Sequence, residues 1–211
     1  MSDARVAILL SGRGTNLPAL AAACAAPWFP GEAALVVANR PGAPGLEKAE
    51  ARGVPTLTID HTPFGKGPDG RAAFEDALHE ALVAARIDWI CLAGFMRLFT
   101  GGFVDRWPRR ILNVHPAILP AFKGLNVHER VLAAGARLAG CTVHFVNAEM
   151  DDGPIIGQAA TRVRPDDDPE TLAARIVRLE NRLYPACLRA VVEGPDKVDP
   201  RALAFFDDAP E

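Results

Sequence analysis

Cysteines, surplus positive charge and long apolar runs are scarce in this chain of 211 residues, and each scarcity closes off a class of function. The four cysteines, Cys24, Cys91, Cys141 and Cys187, are far apart in apolar surroundings. No CxxC pair and no Cys/His cluster has metal-ligand spacing, so they read as reduced core thiols and no metal is expected. Lys and Arg number 23 against 26 Asp and Glu, a net charge of -3. That balance makes no electrostatic case for nucleic acid or for an anionic membrane surface. No apolar run reaches membrane-spanning length. The opening Met1-Ser2-Asp3-Ala4-Arg5 leads straight into an apolar strand, with no signal-peptide core. With 49% hydrophobic residues, a substantial core remains possible. The expectation is a soluble, cytoplasmic, single-domain protein acting on small molecules, as a monomer or homodimer.

Apolar strands alternate with helical stretches through the first half. Strands are expected at Val6–Leu10, Ala34–Ala38, Pro55–Ile59 and Trp89–Leu92. Helices are expected at about Asn16–Ala26, Gly45–Arg52 and Arg71–Ala85, with His61–Gly70 as a Gly/Pro-rich loop. Such alternation implies right-handed crossovers and a parallel sheet with helices on both faces. Beyond a strand at Ile111–His115 the rhythm changes. A helix at about Glu129–Ala134 precedes strands at Thr142–Val146 and Ile155–Val163, the two joined through Asp-Asp-Gly-Pro as an antiparallel hairpin or a closely related loop. A long amphipathic helix covers Pro169–Val192, and the last fifteen residues carry no assignment. The class is α/β: a Rossmann-like, mostly parallel central sheet with antiparallel C-terminal strands. Residues 1–100 form one half of the single domain and about 101–195 the other.

Two motifs carry chemistry. In Ile111-Leu112-Asn113-Val114-His115-Pro116, proline stops the strand. Asn113 and His115, two apart, share a face. An amide donor beside a titratable imidazole suits oxyanion stabilisation and proton transfer once a carboxylate joins them. Asp151, thirty-six residues beyond His115, is the candidate. A buried Asn and His satisfied by backbone is the plain alternative. The second motif, Ser11-Gly12-Arg13-Gly14-Thr15-Asn16, sits at the first strand-to-helix turn, where backbone N–H groups and the helix start offer an anion site. A dinucleotide fingerprint fits poorly. Leu17 stands where its third glycine belongs, and Asn39-Arg40-Pro41 replaces the ribose-binding acid. A single phosphate fits better, with a merely structural capped turn as the alternative.

Together with Ala93-Gly94-Phe95-Met96-Arg97 and the stretch Gly140–Ile156, these motifs stand in an order that resembles the phosphoribosylglycinamide formyltransferases, folate-dependent enzymes of purine biosynthesis. The likeness runs from about Arg5 to Leu188. It implies a formyltransferase fold in which the first half binds phosphate and the second is catalytic and folate-binding. It also implies transfer of the formyl group of 10-formyltetrahydrofolate to the amine of the ribonucleotide. Asn113 would hold the oxyanion, His115 would be the general acid, and Asp151 would tune His115 and shuttle the proton. Gly14, Thr15, Asn16 and Glu180 would bind the ribonucleotide. Arg71, Met96, Arg97, Leu98, Phe99, Asn113, Asn147, Ala148, Glu149, Met150 and Asp151 would line the folate site. Taken singly, Glu180 is an exposed helix carboxylate beside Arg178 and Arg182, and Met96–Phe99 a strand-end core. Ala148 and Asp152 depart from the family pattern in the folate loop. A formyltetrahydrofolate hydrolase, or another formyltransferase on the same core, is the alternative. A nucleotide-binding oxidoreductase is opposed by the missing glycine and acid.

Overall fold

The computed structural model describes residues 4–194 and 203–207. They belong to two compact units, Met1–Leu112 and Asn113–Glu211. In the first unit, β1 (Ala4–Leu10), β2 (Gly31–Ala38), β3 (Thr56–Thr58) and β4 (Trp89–Leu92) lie in the order β3-β2-β1-β4 with parallel pairing. The last five residues of both β1 and β2 are buried without alternation, as in strands covered on both faces. Helices α1 (Leu17–Cys24), α2 (Pro44–Glu50) and α3 (Gly67–Ala84) form the crossovers. One further turn, α4 (Gly101–Val104), precedes β5 (Ile111–His115).

The expected loop at His61–Gly70 is shorter than the sequence suggested. A 3-10 turn occupies Thr62–Phe64, and α3 already begins at Gly67, with proline in its first turn. Proline's fixed φ suits a helix start. Gly70 lies within this helix at a position where space forbids a side chain: a Cβ there would lie 2.4 Å from the Phe64 carbonyl oxygen.

In the second unit, β6 (Leu138–Phe145), β7 (Ile155–Arg162) and β8 (Ala204–Asp207) follow β5 in the order β5-β6-β7-β8. β6 and β7 pair antiparallel, as the hairpin pattern suggested, while β8 pairs parallel to β7. β8 falls within the unassigned last fifteen residues, since only four residues pair there and no local pattern marks them. Helices α5 (Val127–Ala133) and α6 (Pro169–Glu193) complete the unit, and α6 packs on α5, β6 and β7. Asp168 caps α6 by accepting from Thr171 N while the Thr171 side chain reaches back, a reciprocal capping box. Leu172, Ile176, Leu179, Leu183 and Cys187 recur along its buried face. The eight strands and their helices bear out the mostly parallel α/β class with antiparallel strands toward the C-terminus. Among the described residues no helix is long and apolar enough to cross a membrane.

Candidate active site

β5 sets Asn113 and His115 on one face and ends on His115, which is only 5% exposed. Its ring Nε2 lies 3.0 Å from the Phe122 carbonyl, and its Nδ1 lies 3.2 Å from Asp151 Oδ2. A carbonyl only accepts, so Nε2 carries a hydrogen and donates. Nδ1 faces a carboxylate, so a ring bearing two N–H groups satisfies both neighbours. Phe122 stands at φ +56°, an uncommon backbone conformation for a bulky residue.

A second histidine completes the network. His144 on β6 is 2% exposed, and burial pushes its pKa below the ordinary value. Its Nδ1 donates to the Phe145 carbonyl at 2.9 Å. The neutral ring therefore presents a lone pair at Nε2, which accepts from Asn113 Nδ2 at 3.3 Å. That bond fixes which way the Asn113 amide faces and leaves the other Nδ2 hydrogen available as a donor. With Nε2 unprotonated, the 3.9 Å approach of Asp151 Oδ1 is proximity, not an ion pair.

Asp151 is placed by a tight turn. Its φ is +52°, tolerable for aspartate, and its Oδ2 also accepts from Gly124 N at 2.9 Å. The neighbouring Asp152 pairs with Lys123, whose ammonium holds the carboxyl below its usual range. Gly153 must be glycine here, since a Cβ would fall 1.7 Å from the Phe145 carbonyl oxygen. On the same loop Asn147 Oδ1 accepts from Glu149 N at 3.1 Å, while Ala148, Glu149 and Met150 are exposed. The loop after β5 is fixed as well. Buried Thr142 accepts from Leu119 N at 2.9 Å and donates to the Ala117 carbonyl at 2.7 Å. Glu180 is 6% exposed on the buried face of α6, which sets aside the exposed-carboxylate alternative. Burial, and then the charge of Glu180, push the Cys141 thiol up.

The first unit holds the remaining candidates. The turn after β1 is pinned by Gly45 N donating to the Gly12 carbonyl at 3.0 Å and by Lys48 Nζ on the Arg13 carbonyl at 2.7 Å. Gly14 has φ +55°, Thr15 is exposed and Asn16 buried, and no acidic residue occupies the first turn of α1. Such a helix start favours an anion. Arg71 is exposed on α3, and Met96 and Leu98 stand 68% and 51% exposed. Only Phe99 is core, lying between Phe95 and Phe103 at centroid distances of 5.3 and 4.3 Å. The strand-end-core alternative therefore fails for Met96 and Leu98. The Arg97 guanidinium rests 5.0 Å from the Phe74 ring centroid, and burial, then the charge of Arg71, lowers its pKa. A cavity of about 340 Å³ opens beside it, lined by His61, Lys66, Arg71 and Arg97 among others.

The sequence singled out Asn113, His115 and Asp151 but not His144. Its signal was faint: Thr142 and His144 are polar at alternate positions of an otherwise apolar strand. Lys123 and the Phe122 carbonyl had no sequence signal at all.

Residues 4–188 match the formyl transferase family. The chain is 47% identical over 194 residues to the trifunctional purine biosynthetic protein adenosine-3 of Gallus gallus, covering 92% of this chain but 19% of that protein. It therefore spans about a fifth of that relative's length. It is 36% identical to the phosphoribosylglycinamide formyltransferase of Haemophilus influenzae, over 96% of this chain and 93% of the relative. The crystal structure of phosphoribosylglycinamide formyltransferase from Brucella melitensis superposes with a TM-score of 0.85 at 46% identity, covering 91% of this chain and 97% of that one. With the match running from β1 into α6 and through every motif described above, the chain belongs to the formyl transferase family.

Proposed function

We propose that this chain transfers the formyl group of 10-formyltetrahydrofolate to the amine of 5-phosphoribosylglycinamide, a step of purine biosynthesis. The observation that carries the reading is the linked set Asn113, His144, Asp151 and His115 at 3.2–3.9 Å spacings. Near-full-length similarity to enzymes named for this reaction supports the choice of substrates.

The substrate amine attacks the formyl carbon, a C–N bond forms, and the carbonyl oxygen gains charge. Asn113, oriented by His144, donates to that oxygen. Collapse breaks the bond to the folate nitrogen, which needs a proton as it leaves, while the attacking amine must lose one. His115 is the general acid. The Phe122 carbonyl keeps its ring from turning, so a proton at Nδ1 moves along the Asp151 side without a tautomer change. Asp151 tunes His115 and organises the water that carries the proton onward. Such a reaction needs charge stabilisation and a relay but no protein nucleophile.

Gly14, Thr15, Asn16 and Glu180 bind the ribonucleotide. Arg71, Met96–Phe99, Asn113 and Asn147–Asp151 bind the folate, whose acidic end suits the cations around Arg97. The family match across both units supports one formyltransferase domain. Four buried free cysteines fit a reducing compartment, and the enzyme acts in the cytoplasm, as a monomer or homodimer.

The test incubates the chain with 10-formyltetrahydrofolate, with and without the ribonucleotide, following tetrahydrofolate and formate. Folate turnover that requires the ribonucleotide and releases no formate is expected. Turnover without it, with formate released, would make the chain a hydrolase.

A further inference from the structure

Resting on the assignment of Met96–Phe99 to the folate, we infer that Ser11 and Glu75 are positioning residues for that loop, although Ser11 belongs by motif to the phosphate turn. Ser11 is only 7% exposed. Its N–H donates to the Gly94 carbonyl at 3.1 Å, and its Oγ accepts from Met96 N at 2.8 Å. Gly94, at φ +72°, supplies the left-handed turn between those two contacts. A hydroxyl buried and engaged in this way serves the neighbouring loop. The phosphate turn itself is held by other bonds, from Gly45 N and Lys48 Nζ.

Glu75 holds the other end. It is 3% exposed, and its carboxylate accepts from Thr100 N at 2.9 Å and from the Thr100 hydroxyl. Thr100 in turn caps α4 by accepting from Phe103 N. Four residues hang between these anchors. Met96 and Leu98 face solvent, Arg97 lies on Phe74, and Phe99 is stacked in the core. Apolar side chains held outward before a ligand arrives lose less entropy when it binds. Loosening either anchor thus weakens folate binding and leaves the chemical step alone.

Steady-state kinetics of the full chain, varying each substrate in turn, tests this. Ser11→Ala should raise the KM for 10-formyltetrahydrofolate roughly threefold to tenfold, as for loss of one hydrogen bond. Its kcat and its KM for the ribonucleotide should stay near wild type. Ser11→Thr, which keeps the oxygen, should restore the folate KM, and Glu75→Gln should raise it. An unchanged folate KM in folded Ser11→Ala, or a rise confined to the ribonucleotide, overturns the inference. Should Ser11→Ala fail to fold, Glu75→Gln decides, and a wild-type folate KM there overturns it. A wild-type chain with no formyl transfer would sink the functional reading instead, and the inference with it.

Discussion

In the second unit His115 and His144 are buried, Asp151 is largely covered, and all three are bonded to one another or to the backbone, while in the first unit Arg71, Met96 and Leu98 stand exposed on well-anchored backbone. The difference matches the two tasks proposed for them, a proton relay and a folate-binding surface. A relay works only if donors and acceptors hold one geometry, and burial strengthens each bond while penalising any unpaired group. A binding surface needs reachable side chains, so order there resides in the backbone beneath them: Ser11 on Met96, Glu75 on Thr100, Lys48 on Arg13. Variants at His115, His144 and Asp151 should therefore move kcat, and variants at Arg71, Met96 and Leu98 should move KM.

The largest effect is expected from His115→Ala and Asp151→Asn. Each should cut kcat by roughly 10²–10³ with the fold intact, by analogy with loss of a site donor. Asp151→Asn should also lose or shift the limb of the pH-rate profile that reports His115. Wild-type kcat in either would erase the contrast between the units. Next comes Arg71→Ala, which should raise the folate KM about tenfold, as for a lost charged contact, with kcat retained. A fall in kcat instead would place Arg71 with the chemistry. His144→Leu should lower kcat about threefold to tenfold by freeing the Asn113 amide, and His144→Gln, which keeps an acceptor, should lose less. Circular dichroism separates either result from unfolding.

The smallest effect is on stability. Burial lowers the pKa of both His144 and His128, so the unfolded chain takes up protons first as pH falls. Their stabilisation is fully present above the unfolded value of about 6.5 and is lost as pH drops through the folded values. Urea midpoints should be flat from pH 8 to 7 and decline below about 6.5. His144→Gln should show a shallower decline, and an unchanged one would remove His144 from the account.

Residues with a local rule behind them were legible in the sequence. Pro116 ends β5, the two-residue period pairs Asn113 with His115, and uninterrupted apolar runs mark β1 and β4 as buried. Illegible features depend on contacts distant in the chain. His144 meets Asn113 across 31 residues, and Ser11 meets Met96 across 85. Gly70 looked like a loop residue because close approach to the Phe64 carbonyl, not a turn, selects glycine there. β8 is too short to have a pattern of its own and exists by pairing with β7. The family resemblance supplied Glu180, which spacing alone could not have joined to β5, and the role given to Asp151.

The measurement that bears most directly on the account is the single-turnover rate of Asn113→Ala with both substrates saturating, alongside its affinity for the folate. If Asn113 holds the oxyanion, the rate falls by roughly 10²–10³ while folate affinity changes little. A near-normal rate, or a loss explained wholly by weaker folate binding, would contradict the assignment of the chemistry to this network.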